Sequence, residues 1–163
     1  MPQKTIVVSD TGPLISLGLL NRLELFTTLF DDIYIPNAVW EEIQQIRIFD
    51  NISEIKMFLR ERVKRIAGEN NLLPFVDYGE SEAILLYKEI KADYLVIDDK
   101  KARDIAEALQ VKCIGTIGIL YRAKQKRIIQ ELRPLFLHLI QNKRYYSRKV
   151  LNQVLDKAKE KTI

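Results

Sequence analysis

The sequence is poor in the residues that carry thiol and soft-metal chemistry. Its 163 residues include one cysteine, Cys113, and one histidine, His138. A single thiol excludes an internal disulfide and any cysteine-based zinc site. The apolar surroundings of Cys113 read as those of a buried thiol rather than a nucleophile. His138 stands in Leu135-Phe136-Leu137-His138-Leu139-Ile140, where a place on a helix surface or in packing is the expectation, not a catalytic base. No apolar run is long enough to span a bilayer, and no basic n-region leads into an apolar h-region, so a membrane protein and a secreted one are both disfavoured. A cytoplasmic protein is expected. Internal repeats, low-complexity tracts and domain linkers are also missing, which points to a single domain over 1–163 with a core at about 4–125 and a helical extension at about 126–163.

What is present is an ordinary globular composition, 47% hydrophobic and 29% charged, with a net charge of +4. The charge is unevenly spread. Residues 1–120 carry 14 Lys+Arg against 19 Asp+Glu, and residues 121–163 carry 12 against 3. An acidic body with a basic tail suits a cation site beside a phosphate-binding surface, although a solvated helical surface has the same composition.

The pattern along the chain is organised around Ile6-Val7-Val8-Ser9-Asp10-Thr11-Gly12-Pro13-Leu14-Ile15. The β-branched run reads as a buried strand, the Gly-Pro pair breaks it, and helical spacing resumes at Leu14. Further strands are expected near 33–35, 63–67, 94–97 and 111–115. Helices are expected near 14–20, 22–30, 37–46 (with Asn37 as the N-cap), 53–60, 79–91, 100–110, 116–124, 128–142 and 147–159. Strands alternating with helices imply βαβ units and a mostly parallel sheet. The fold class is therefore α/β, a central sheet flanked by helices with additional C-terminal helices. Asp10 then falls at the carboxyl end of a strand, where ligands of open α/β sheets bind, although capping a helix is the commoner role of an aspartate there.

Helical phase selects the acids that could join it. Around the helix after Pro36, Glu42 lies near the apolar face of Ala38, Val39, Ile43 and Ile46, and Glu41 lies on nearly the opposite side. Around the helix opening at Gly79, Glu80 lies near the face of Ala83, Ile84, Tyr87 and Ile90, with Glu82 and Glu89 far outside it. Asp98 and Asp99 follow a buried-type strand, as Asp10 does. One of them should face the crevice more directly, and the other could act through water or cap the next helix. Carboxylates crowded together repel unless a cation joins them. An all-oxygen donor set suits Mg²⁺ or Mn²⁺, which can activate water for attack on a phosphodiester.

Five motifs in order then resemble the PIN-domain family: Ser9-Asp10-Thr11-Gly12-Pro13-Leu14-Ile15, Ile35-Pro36-x-x-Val39-x-x-Glu42, Gly79-Glu80-x-Glu82-Ala83-Ile84, Ile97-Asp98-Asp99-x-x-Ala102-Arg103-x-x-Ala106 and Gly115-Thr116-x-Gly118-Ile119-Leu120. The branch is similar to VapC-type toxins. The resemblance implies a three-layer α/β fold and a Mg²⁺- or Mn²⁺-dependent ribonuclease. Asp10, Glu42, Glu80 and Asp99 would be its acids, with Asp98 an extra ligand or a supporting residue. Glu80 stands where many relatives carry aspartate. The resemblance also implies an RNA substrate, a small antitoxin as partner and frequent homodimers. Ser9 and Thr11 flank the first acid, and Thr11 could hydrogen-bond a ligand carboxylate or stabilise the turn.

Lys143, Arg144, Tyr145, Arg148 and Lys149 form a basic stretch interleaved with aromatics, the composition of a strand-binding surface and equally of an exposed turn. Trp40 and Phe49 read as packing residues. Two other functions fit parts of the pattern: a PIN-like module that binds RNA or a protein without cutting, and a phosphatase using Asp10. The second is weakened because no second acid lies two residues beyond Asp10.

Overall fold

In the computed structural model, which describes residues 3–47 and 51–163, the β-branched run becomes β1, Ile6–Ser9. It lies at the centre of a five-stranded sheet with β2 (Asp32–Pro36), β3 (Val63–Lys64), β4 (Tyr94–Val96) and β5 (Cys113–Ile114). All pairings are parallel and the order is β3-β2-β1-β4-β5. The expected extended stretch at 63–67 contributes only its first two residues, as an edge strand paired to β2.

Parallel strands are covered on both faces, which is why they read as unbroken apolar runs. Val7, Ile33, Ile35 and Val96 face the larger core. That core includes side chains of α1 (Thr11–Leu19), α2 (Glu24–Leu29), α3 (Asn37–Gln45), α4 (Ile52–Leu59), α7 (Thr116–Gln125), α8 (Arg133–Gln141) and α9 (Arg148–Lys157). Val8, Leu95 and Ile97 point the other way, into a core shared with α5 (Tyr78–Glu89) and α6 (Lys100–Ala108). The result is a three-layer α/β arrangement with helices completing the C-terminus. Among the described residues no helix is long and apolar enough to cross a membrane.

Three local expectations change. Asn37 is the first residue of α3 and not its cap; Pro36 holds the cap position and offers no side-chain acceptor. The freed donor is satisfied from another helix, because Ala38 N donates to Glu82 Oε1 at 3.1 Å. Glu82 is therefore buried, 5% exposed, where helical phase placed it in solvent. A single apolar face was the wrong premise, since α5 packs on both the sheet and α3. The third concerns α8, which begins at Arg133 and not near Ile128. Arg127 adopts a left-handed conformation that ends α7, and Pro134 is tolerated because it falls in the first turn of α8.

The α8 N-terminus is closed by Glu160. Its carboxylate accepts from Leu132 N and Arg133 N at 2.9 Å and pairs with Lys124 Nζ at 2.5 Å. Burial pushes the Glu160 pKa up, but the Lys124 hydrogen bond and the two backbone donors outweigh it and leave the group below its ordinary value. A depressed carboxylate stabilises the fold above its unfolded pKa and loses that contribution as pH falls through the folded one. Glu160→Ala should cost about 2 kcal/mol in urea unfolding at neutral pH, with the difference from wild type shrinking as the solution is acidified below the usual glutamate range.

Candidate functional site

The chain lays down β1, β2 and β3 in one direction across the sheet, then returns to place β4 on the other side of β1. The strand order therefore reverses between β1 and β4, the crevice position at which open α/β sheets bind ligands. Asp10 stands at its edge. Its N–H donates to Val96 O at 2.9 Å, extending the β1–β4 ladder by one bond. Asp10 occupies the position before the first residue of α1, yet its side chain makes no capping hydrogen bond, and it is only 8% exposed. The capping role is not the one this residue takes.

Glu42 reaches the same place from α3. It is half-buried, and Thr11 Oγ1 donates to its Oε2 at 2.6 Å. Its carboxylate lies against Gly79, where a Cβ would overlap Glu42 Oε1. A side chain at this position would push the Glu42 carboxylate aside. Glu41 is exposed and accepts from Asn37 Nδ2, as its phase indicated. Glu80 sits in the first turn of α5, half-buried, with its N–H donating to Asp77 Oδ1 at 2.9 Å. Ser9 is fully buried and its hydroxyl donates to the Asp10 carbonyl, a backbone contact.

The two aspartates after β4 divide the remaining work. Asp99 caps α6 by accepting from Ala102 N at 2.8 Å. It is exposed, and its charge acts on Glu80. Asp98 is taken up elsewhere. Its Oδ1 accepts from Thr116 N at 2.7 Å, and its Oδ2 accepts from Thr116 Oγ1 at 2.6 Å and Tyr146 Oη at 2.8 Å. It thus closes the N-terminus of α7 and fastens the α8–α9 connection to the sheet edge.

The electrostatics follow from this geometry. Burial raises Asp10 from 3.8 to about 8; the adjacent Thr11 N–H opposes that, and the charges of Glu80, Glu42 and Asp77 add to it. Burial together with Asp77 and Asp99 raises Glu80 to about 7. Glu42 is also raised, first by burial, although the Thr11 hydroxyl pulls it back. Asp77 acts on all three acids and is absent from the sequence-based set. Its signal was there, because an aspartate three residues before Glu80 has the spacing of a capping box, and it is the residue that caps α5.

Among the described residues the ion pairs are Arg22–Glu24, Lys100–Asp104 and Lys124–Glu160, and none involves Asp10, Glu42 or Glu80. Nor, among those residues, are any three His, Cys, Asp or Glu side chains grouped tightly enough to enclose an ion unaided. Mg²⁺ does not ask for such a cage; it keeps several waters and takes one or two carboxylates together with substrate phosphates. Carboxylates whose acidity is suppressed by burial and mutual repulsion, with oxygen donors only, fit a hydrated hard cation. Asp10, Glu42, Glu80 and Asp99 could hold it. Cys113 offers no competing chemistry, since burial pushes its thiol up to about 11. His138 is exposed on α8, Trp40 packs against the larger core, and Phe49 lies outside the described residues.

An all-parallel α/β sheet with acids at its switch point places them where open α/β folds bind ligands. A family profile described as PIN domain matches residues 6–160. The chain belongs to the PIN-domain family, whose members are generally nucleases that act on nucleic acids, usually with divalent metals. A search of curated proteins gives no match.

A carboxyl group whose folded pKa is raised stabilises the fold fully below its unfolded pKa and loses that stability as pH rises through the folded one. For Asp10 the window runs from 3.8 to about 8. In chelator at pH 8, Asp10→Asn should be more stable than wild type by about 2 kcal/mol in thermal melts. Added Mg²⁺ should raise the wild-type midpoint and leave the variant's unchanged. Gly79→Ala should displace Glu42 and weaken the Mg²⁺ response by about 10-fold, equivalent to about 1.4 kcal/mol, with the circular dichroism spectrum preserved.

Proposed function

We propose that the protein is a Mg²⁺- or Mn²⁺-dependent endoribonuclease and the toxin of a toxin–antitoxin pair. The observation that carries the first half is the burial of Asp10 beside Glu42 and Glu80 with no ion pair to any of them among the described residues. Asp10, Glu42, Glu80 and Asp99 bind the cation. Thr11 holds the Glu42 carboxylate in one orientation through the 2.6 Å hydrogen bond, and Asp77 fixes the first turn of α5 from which Glu80 projects. Asp98 supports the site by tying α7 and Tyr146 to the end of β4. A bound Mg²⁺ or Mn²⁺ supplies activation of the attacking water and neutralisation of charge on the phosphodiester. The second half rests on the opening Ser9–Ile15 stretch and on the motif order, both similar to VapC-type toxins. It brings with it a small antitoxin partner, a homodimer and a cytoplasmic location.

Purified protein should cleave single-stranded RNA with Mg²⁺ or Mn²⁺, and Asp10→Asn should reduce the rate by at least about 100-fold, the scale of losing a group that acts in the transition state. Induced expression of wild type should arrest growth while that of Asp10→Asn does not. Salt-sensitive RNA binding that survives Asp10→Asn, with no cleavage of varied RNAs under either cation, would overturn the reading in favour of a non-cutting binding module.

A further inference from the structure

The connection between α8 and α9 is where the basic, aromatic stretch of the chain falls, and it is built unlike an exposed turn. Lys143 takes a left-handed conformation, and the N–H groups of Lys143 and Arg144 return to Ile140 O and Leu139 O, closing α8. At the other end Ser147 caps α9 by accepting from Val150 N. Between these points the side chains alternate. Arg144 turns inward, its Nε donating to Ser16 Oγ at 3.0 Å and its Nη2 to Gly12 O at 3.1 Å. Tyr146 also turns inward, its hydroxyl donating to Asp98 Oδ2 and meeting Ser16 Oγ at 2.7 Å.

Arg144, Ser16, Tyr146 and Asp98 thus form one directed chain of hydrogen bonds. Arg144 donates to Ser16, Ser16 to Tyr146, and Tyr146 to Asp98. Burial and the Asp98 charge push the Tyr146 hydroxyl up to about 12, so it remains a donor. Gly12 is two residues from Asp10, so the connection is fastened to the rim of the acidic site.

Tyr145, between the two inward residues, is left 77% exposed. An exposed ring on a mobile turn means little, but here both neighbours are held and the ring is presented to solvent. Lys143, Arg148 and Lys149 are exposed around it, and no acid occurs from Asn142 to Leu155. A rigid aromatic platform ringed by cations suits a strand with unstacked bases and a phosphate backbone, and it compensates for the acidic centre, which by itself repels a polyanion.

We infer that the segment 143–149 is the strand-holding surface for single-stranded RNA, with Tyr145 stacking on an unpaired base and Lys143, Arg148 and Lys149 meeting phosphates next to the Asp10 centre. The inference rests on the ribonuclease reading for its substrate, and the test separates the two because it measures binding without cleavage. In chelator, a fluorescein-labelled oligouridylate would be titrated with the full chain over a series of KCl concentrations.

Tyr145→Ala should weaken binding by about 10-fold and Tyr145→Phe should restore it, since the π-face and not the hydroxyl carries stacking. Lys143→Ala with Lys149→Ala should lower the slope of log affinity against log salt by about 0.7 for each lost phosphate contact. Lys4→Ala and Lys112→Ala, at the opposite, amino ends of β1 and β5, should leave both quantities as in wild type. Equal affinity for a duplex, or unchanged binding by the Tyr145 and lysine variants, would overturn the assignment even if wild type cuts RNA. Loss of binding in these variants would sustain it even if wild type proves unable to cut.

Discussion

The structure depends on keeping the Asp10 carboxyl buried at the end of β1 with no cationic partner among the described residues. Asp10 is 8% exposed and makes no cap to α1, and burial, with smaller additions from the charges of Glu80, Glu42 and Asp77, raises its pKa to about 8. Ionising a carboxyl buried in this way is costly, so its surroundings keep it protonated near neutrality. The rest of the molecule is arranged so that it cannot relax. Pairing to both β2 and β4 holds β1, and Val7 and Val8 lock it into the cores on either face. Thr11 then fixes Glu42 beside Asp10, and Gly79 leaves room for it. The strain is concentrated at one point, and that point is where a cation would remove it.

Two groups of acidic residues in the body differ in how they are held. One group satisfies backbone N–H groups at helix and strand ends. Glu82 does so for α3, Asp77 for α5, Asp99 for α6, Asp98 for α7 and Asp93 for Ile6 at the start of β1, and Glu160 plays the same part for α8. The other group, Asp10, Glu42 and Glu80, accepts from the N–H groups of Thr11, Gly79 and Asp77 as well, but burial outweighs those contacts and holds all three at raised pKa values. Helix termini leave donors that something must accept, and this chain meets the demand largely with carboxylates from distant elements. The acids whose pKa values are raised lie together at the sheet's switch point, with Asp99 acting on Glu80 from the α6 cap.

Much of this was readable from residue order. The apolar runs at 6–8 and 94–97 gave strands because parallel strands are buried on both faces, and helical phase separated the half-buried Glu42 from the exposed Glu41. Phase failed at Glu82 because α5 packs against two partners, so its single apolar stripe understates its buried surface. The alternation of an extended chain left open the choice between Asp98 and Asp99, whose difference lies in Thr116 and Tyr146, residues 18 and 48 positions away. The same distance in sequence hid the role of Arg144, whose contacts with Gly12 and Ser16 span 132 and 128 positions. Trans-capping and long-range hydrogen bonds leave no local pattern, and capping residues such as Asp77 leave one that is easily read as structural alone.

The central claim is that the Asp10 carboxyl is kept protonated near neutrality by its surroundings and is released from that state by a divalent cation. Calorimetric titration of the free protein with Mn²⁺ at pH 7, repeated in buffers of different ionisation enthalpy, counts the protons released per ion bound. The account predicts release of about one proton from Asp10 in the wild type, because metal ligands must be deprotonated, and a clear decrease in Asp10→Asn. Binding with no proton release, or with the same release in both proteins, would contradict it.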